Sequence, residues 1–342
     1  MDKKINYSDI SVVVQGPIVG SKKNKPENRH TQICLKSIRK YLPGSTIILS
    51  TWKGSDIEGL DYDILIENKD PGPNIMFNET GNYQANCFRQ IVSSINGLMA
   101  CDTKYALKIR TDLKLKNSNF INYFLKYNKV QFDDEYKILK QRVITLSTCN
   151  PNRRTKWPFN VCDWLFFGLT DDIKNIFDIP ATNNDFLLKK DDDPKYKIIN
   201  YYSPEQYIWF RFLSKYRKIT FNYREDISNN NIEISERYFA NNCIFLSAKR
   251  AGITWLKLPG GAYSQIPCLS NSGLYTFNEY KKLLNKYAKN NILIIPNIFE
   301  NIIYYVIYNL RFKIKKIFPK LDKYIHQIID TNTNNKISRN KI

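Results

Sequence analysis

Residues 105–115 read YALKIRTDLKL, and the reading of this stretch decides the rest of the chain. An extended strand sends successive side chains to opposite faces. Tyr105, Leu107, Ile109, Thr111, Leu113 and Leu115 then share one face, while Lys108, Arg110, Asp112, Lys114 and Lys116 share the other. The first set is a core face. The second has two readings: a solvated charged face, or one carboxylate and its basic neighbours gathered around an anionic ligand.

Working outward, the strand closes a regular alternation. DISVVVQGP (9–17) is a short buried strand ending at Gly16-Pro17, and RHTQICLKSIRKYLPG (29–44) has helical periodicity that stops at Pro43-Gly44. STIILSTWKG (45–54) and DYDILIENKDPG (61–72) are a second and a third strand, and GNYQANCFRQIVSSINGLMACD (81–102) is an amphipathic helix carrying Ala85, Phe88, Ile91, Val92, Ile95 and Leu98. Strands separated by helices predict parallel pairing and an α/β, doubly wound, mostly parallel sheet. Such sheets bind ligands beyond the carboxyl ends of their strands. Those ends carry Gln15-Gly16-Pro17, Thr51-Trp52, residues 68–72 and Arg110-Thr111-Asp112. Three regions follow: 1–116, a ligand-binding half; 117–270, a less regular half of the same domain; and 271–342, a basic helical segment.

The chain of 342 residues is long enough for a large core, and 43% hydrophobic content is that of a globular protein. Its net charge of +20 favours anionic partners, and residues 276–342 hold 13 Lys and Arg against 4 Asp and Glu. Seven cysteines, with no CxxC pair, read as free thiols in a reducing compartment without structural zinc. Neither a signal peptide nor a membrane span is recognisable, so a cytoplasmic protein is expected. There is no GxxxxGKS, GxGxxG or GxSxG motif, which removes most support from kinase-like and dinucleotide-binding readings. No nucleic-acid-binding motif is present either. With His30 and His326 as the only histidines, catalysis must rest on carboxylates, on Lys or Arg, or on a bound cation.

Asp112, at a strand end, can hold a magnesium or manganese ion against a diphosphate, because hard cations prefer oxygen ligands. Lys108 and Arg110 can neutralise the same phosphates. Glu205 opens the segment SPEQYIWFR (203–211), either as part of an ordinary helix start or as a general base. Asp163 interrupts the apolar run VCDWLFFG (161–168); it either points to solvent or faces a cavity as an acceptor ligand or second base. Trp164 can stack on a sugar ring or pack in the core. Arg29, His30 and Thr31 begin a helix near Gln15-Gly16, as a cap or as an anion site. NIIYYVIYNLRFKIKKIFPKLDKYI (301–325) is a basic amphipathic pattern that suits an anionic membrane surface or a domain face.

The run NCFRQIVSSINGLMACDTKYALKIRTD (86–112) resembles the large inverting glycosyltransferase family with the GT-A fold, in which a helix leads into a strand ending in Asp-x-Asp. Here Arg110 occupies the first Asp position and only Asp112 is retained. In that family an acidic residue followed six later by Arg serves near the acceptor, and Glu205 and Arg211 match the spacing. The set ISVVVQGPI, CLKSIRKYLPGSTIILSTWKG, DPG, RQIVSSINGL, LKIRTDL, PFNVCDWLFFG and SPEQYIW, over residues 10–209, resembles the WavE lipopolysaccharide synthesis family. The resemblance implies a bacterial surface-glycan glycosyltransferase of GT-A-like fold, peripheral to the inner membrane through its basic tail. Its donor would be a nucleotide sugar lined by Gln15, Gly16, Thr51, Trp52, Asp70, Arg89, Lys108, Arg110 and Asp112. Its acceptor, a lipopolysaccharide, lipooligosaccharide or capsule glycan, would meet Trp164 and Arg211. Glu205 is the expected base and Asp163 the second choice. The alternatives are a phosphoryl- or phosphoglycosyl-modifying transferase of the same glycans and, from charge alone, a nucleic-acid-binding protein.

Overall fold

The computed structural model describes residues 4–20, 23–78, 81–147, 157–181, 202–221, 226–257, 277–288 and 295. In chain order the first half contains β1 (Ile10–Gln15), α1 (His30–Tyr41), β2 (Thr46–Trp52), β3 (Ile64–Asn68), the hairpin β4 (Asn74–Asn78) and β5 (Gly81–Ala85), α2 (Cys87–Met99), β6 (Tyr105–Arg110) and β7 (Leu113–Leu115). The second half contains α3 (Phe120–Tyr127), β8 (Val143–Leu146), β9 (Leu165–Leu169), α4 (Thr170–Phe177), α5 (Pro204–Ser214), α6 (Asn229–Asn242), β10 (Cys243–Leu246), α7 (Ala248–Ala251), β11 (Ile253–Trp255) and α8 (Phe277–Tyr287).

Seven strands form one sheet in the order β10-β8-β9-β6-β1-β2-β3. β6, β1, β2 and β3 are mutually parallel, β9 runs antiparallel to β6 and β8, and β10 is parallel to β8. This is the mostly parallel α/β sheet expected of a GT-A-like fold. β1 is buried along its whole length, so both faces of the sheet are covered. Each of Val12, Val13 and Val14 contributes roughly 1.5–3 kcal/mol by leaving water. Register brings the parallel strands to a common edge: Gln15 lies opposite Ser50 and Arg110, and Trp52 opposite Asn68. The four expected strand ends therefore meet in one crevice.

Three expectations change in detail. The stretch 105–115 is not one strand: β6 ends at Arg110, Thr111-Asp112 make a turn, and β7 pairs antiparallel with β11. Its second face is solvated only at Lys114 and Lys116, because Lys108 and Asp112 are both buried. The helix read from residue 81 begins at Cys87, and Ala85 belongs to β5. The Asn74 side chain accepts from the Phe88 amide at 3.0 Å, so a residue of the hairpin caps the helix. Phe277–Tyr287, read as part of a basic appendage, packs on the main core: Tyr280 is fully buried and meets the rings of Tyr127 and Phe245. The basic pattern at 301–325 lies outside the described residues. Among them, no helix is long and apolar enough to cross a membrane.

The second half is stitched by a residue that no pattern marked. Arg142 is fully buried, and its guanidinium donates to the carbonyls of Ala240 (2.7 Å), Tyr127 (3.2 Å), Val130 (2.8 Å) and Gln131 (3.2 Å). Five described cysteines, Cys34, Cys87, Cys101, Cys162 and Cys243, are buried free thiols, as expected.

α2 lies against the sheet through Gly97. A Cβ there would sit 2.5 Å from Val13 Cγ1 and 3.0 Å from Ser50 Cβ, so only glycine lets the helix approach this closely. Gly97→Ala should lower the unfolding free energy by roughly 1–3 kcal/mol in urea titration. Met99→Ala, at an exposed position of the same helix, should change it little. An unaltered midpoint for Gly97→Ala would contradict this packing.

Candidate functional site

A cavity of about 390 Å³ opens at the common edge of the parallel strands. That is the size of a small-molecule site, roughly 300–1,000 Å³. Gln15, Gly16 and Pro17 follow β1, Trp52 ends β2, Asp70 follows β3, and Arg110, Thr111 and Asp112 follow β6. Asn86, Arg89, Gln90 and Ser93 come from the start of α2, and Lys257 from beyond β11. The floor is held by backbone bonds: Gly16 N–H donates to Ser50 O and Thr111 N–H to Gln15 O, both at 3.1 Å. Gly16 has φ of 119°, a conformation L side chains rarely adopt, and the Thr111 hydroxyl beside it donates to Pro17 O at 2.8 Å.

Asp112 is the most enclosed charge in the wall, 2% exposed. Arg110 grips it with two parallel bonds, Nε to Oδ1 at 2.9 Å and Nη2 to Oδ2 at 2.7 Å. Trp255 Nε1 donates to Oδ2 at 3.2 Å, and Lys257 Nζ lies 3.2 Å from the same oxygen. Burial alone would raise the Asp112 carboxyl, but Arg110, Lys257 and Trp255 hold it below the usual carboxylate range. Arg110 in turn lies over the Trp164 ring, 5.2 Å from its centroid, and Trp164 packs against Trp255 at 4.9 Å. Antiparallel pairing of β11 with β7 delivers Trp255 to this place, and Leu256 N–H donates to Asp112 O at 2.9 Å.

Across the cavity, Arg89 makes a second forked pair. Its Nε and Nη2 donate to Asp70 at 2.7 and 2.6 Å, and Nη1 donates to Asn86 Oδ1 at 3.0 Å. The Arg89 hydrogen bonds hold Asp70 below its ordinary range. Ser93 Oγ donates to Gln15 Oε1 at 2.8 Å, which fixes the Gln15 amide at the floor.

Of the residues expected at the donor, Gln15, Gly16, Trp52, Asp70, Arg89, Arg110 and Asp112 line this single cavity. Thr51 and Lys108 do not. Thr51 is buried beside Ser55, their hydroxyls 3.3 Å apart. Lys108 shares the Arg110 face of β6 but lies deeper along the strand, where Nζ donates to the Asp163 carbonyl and lies 5.0 Å from the Phe177 ring centroid. Asp163 is buried rather than solvent-facing. Burial raises its carboxyl, and Lys108 and Arg110 only partly offset that. Its carbonyl also receives Gln90 Nε2 at 3.0 Å. Trp164 is largely buried and serves Arg110 as a ring platform.

Glu205 and Arg211 sit on α5, half-exposed, and neither lines the cavity. The ordinary helix-start signature is present in full, with Pro204 in the first turn and a reciprocal Ser203–Gln206 capping box. That first turn nevertheless touches the start of α2, through Cys87 Sγ and Pro204 O at 3.9 Å. Burial pushes the Cys87 thiol well above its ordinary value, and Asp163 and Glu205 push it further, so both carboxylates lie near the cavity's α2 wall. At the start of α1, Arg29 Nε turns to Asn24 O (2.8 Å), and the Thr31 hydroxyl accepts from Val19 N–H (2.9 Å). His30 faces Asp112 and Lys257, and burial lowers its imidazole.

The donor set does not fit a protein-held divalent ion. Both oxygens of Asp112 are taken, Asp70 is closed by Arg89, and no group of three His, Cys, Asp or Glu side chains suited to a metal occurs among the described residues. Sequence reasoning missed Trp255 and Lys257. Trp255 is 143 positions from Asp112, and only the β7–β11 pairing could have announced it.

Burial lowers the Lys108 ammonium to about 8, against about 10.4 in an unfolded chain. Below pH 8 both states are charged and the fold bears the full desolvation cost. Between pH 8 and 10.4 the unfolded chain binds more protons, so stability rises with pH. Relative to Lys108→Met, the protein should therefore gain on the order of 3 kcal/mol between pH 7.5 and 10.5 in paired urea titrations. A pH-independent difference would contradict the burial of this charge.

No curated protein matches the sequence significantly. Among solved structures, a cytidylyltransferase from Leptospira borgpetersenii serovar Hardjo-bovis is 7% identical, with a TM-score of 0.31 over 52% of this chain and 67% of that one. A 4-diphosphocytidyl-2C-methyl-D-erythritol synthase from Anaerococcus prevotii is 12% identical, with a TM-score of 0.29 over 67% and 96%. At these scores neither likeness bears on what the chain does. The sequence itself matches WavE lipopolysaccharide synthesis over residues 10–291, past the last motif near Trp209 and through α8. The chain belongs to the WavE lipopolysaccharide synthesis family.

Proposed function

We propose that the chain is a glycosyltransferase that moves a sugar from a nucleotide-sugar donor to a lipopolysaccharide, lipooligosaccharide or capsule acceptor. One observation carries the reading: a single cavity at the carboxyl ends of parallel strands gathers Arg89, Arg110 and Lys257 beside the indole of Trp52. Cations of this kind suit a diphosphate, and an aromatic face suits a base. The diphosphate leaves as the acceptor hydroxyl attacks the sugar carbon, and Arg110 and Lys257 stabilise the charge that develops on it.

Inverting transfer needs a base for the acceptor proton. Glu205 is our assignment. It is half-exposed beside the start of α2, so an acceptor can reach it without unpacking the core. Asp163 is second, because its burial and its carbonyl bonds to Lys108 and Gln90 suit a positioning role better. Arg211, six residues from Glu205 on α5, would steady an anionic acceptor. The acceptor is lipid-linked or anionic, and the basic stretch beyond residue 300 would hold the enzyme on the inner leaflet, peripheral to the membrane on its cytoplasmic side.

The test is release of nucleoside diphosphate from a panel of nucleotide sugars, with glycolipid extracted from a strain lacking this protein as acceptor. Glu205→Gln should lower turnover by about 10²–10⁴ while donor affinity stays unchanged. Full turnover in that variant would remove Glu205 as base and promote Asp163. A product carrying added phosphorus would replace glycosyl by phosphoryl transfer. Binding that falls steeply with salt and ignores nucleotide sugars would favour the nucleic-acid alternative.

A further inference from the structure

We propose that this site neutralises a diphosphate with side-chain cations in place of a divalent metal ion. In this assignment Arg110 is the fixed cation, Lys257 the exchangeable one, and Asp112 the anchor they share. The inference rests on the donor-site reading above and specifies how the ligand's charge is met.

The chemistry of Asp112 comes first. A metal ligand stands in a negative field. Asp112 Oδ1 accepts from Arg110 Nε at 2.9 Å, and Oδ2 receives Arg110 Nη2 at 2.7 Å, Trp255 Nε1 at 3.2 Å and Lys257 Nζ at 3.2 Å. A divalent ion would have to displace two positive groups from a carboxylate that is 2% exposed. The second carboxylate in the cavity, Asp70, is closed by both arms of Arg89. Among the described lining residues, three cations stand against two carboxylates, a net positive charge that complements an anion.

The two cations on Asp112 differ in freedom. Arg110 is held by a two-pronged bond and by the Trp164 ring beneath it, and its side chain is 26% exposed. Lys257 makes one ion pair among the described residues, and it has a flexible stem and a side chain 44% exposed. Lys257 can turn from Asp112 to a phosphate oxygen without stranding the carboxylate, because Arg110 and Trp255 stay bound to it. The fixed pair sets the geometry, and the lysine supplies charge when the diphosphate arrives. Arg110 stands where the related glycosyltransferase pattern has its first Asp, so a positive group replaces a negative one at the place a metal would be drawn to.

The experiment measures affinity of the full chain for inorganic pyrophosphate and for UDP, GDP, CDP, dTDP and ADP, in EDTA and again with magnesium or manganese. Pyrophosphate and one nucleotide should bind in EDTA, with affinity changed less than about threefold by either metal. Lys257→Met should weaken that binding about tenfold or more, as loss of a charge-assisted bond does. Lys114→Met, which removes an exposed lysine of β7, should leave it unchanged and so controls for net charge. Binding that requires metal and is lost in EDTA would overturn this inference and keep the donor-site reading. An unchanged affinity in Lys257→Met would also overturn it. Pyrophosphate binding sensitive to Lys257, with no nucleotide bound, would support the inference and overturn the nucleotide-sugar reading. No binding of any probe would overturn both.

Discussion

A carboxylate buried at the end of the central strand must be neutralised, and much of the site follows from how Asp112 meets that requirement. An unpaired charge in such a place costs several kcal/mol or shifts to its neutral form. Arg110 supplies the charge from two residues away, across the turn that ends β6. Trp255 and Lys257 add two further contacts to Oδ2, and they reach the turn because β11 lies antiparallel on β7. One ion pair thus ties the last part of the second half to the strand ends of the first. It also explains the hand of the cavity: the carboxylate is consumed by its own partners, and the surface presented to a ligand is basic.

A second buried cation works on the same face of the strand, one alternate position deeper. Lys108 reaches the Asp163 carbonyl, which also receives Gln90 from the cavity wall. Alternate residues of β6 are therefore put to different uses. Lys108 fixes the segment leading into β9, and Arg110 faces the cavity. Trp164, next to Asp163, then lies under Arg110, so the VCDWLFFG segment shapes the cavity without lining it. Glu205 reaches the neighbourhood by a third route, the contact of α5 with the start of α2.

Much of this was legible in the sequence because it is local. Apolar runs ending in Gly-Pro, Trp or Asp, separated by helical periodicity, announced parallel strands whose ends meet, and seven of the nine residues assigned to the donor line one cavity. The misreadings have physical causes. Strict alternation rightly put Lys108 on the face of Arg110, but it lies deeper than the cavity, and a buried lysine with a carbonyl partner looks in sequence like a solvated one. Thr51 is a strand-end residue whose side chain turns to Ser55 instead of the crevice. The start of α2 was misplaced because its cap is Asn74, on the preceding hairpin. Lys257 and Trp255 carry no motif, and their place is set by a three-residue strand pairing across the chain. Arg142 likewise looks like any other surface arginine until four carbonyls converge on it.

The most direct measurement is a crystal structure of the full chain with a nucleoside diphosphate bound. The account predicts the diphosphate at the common edge of β1, β2 and β6, within hydrogen-bond distance of Arg110 and Lys257, with the Arg110–Asp112 pair intact. A nucleotide bound elsewhere, or a metal ion on Asp112 with Arg110 displaced, would contradict it.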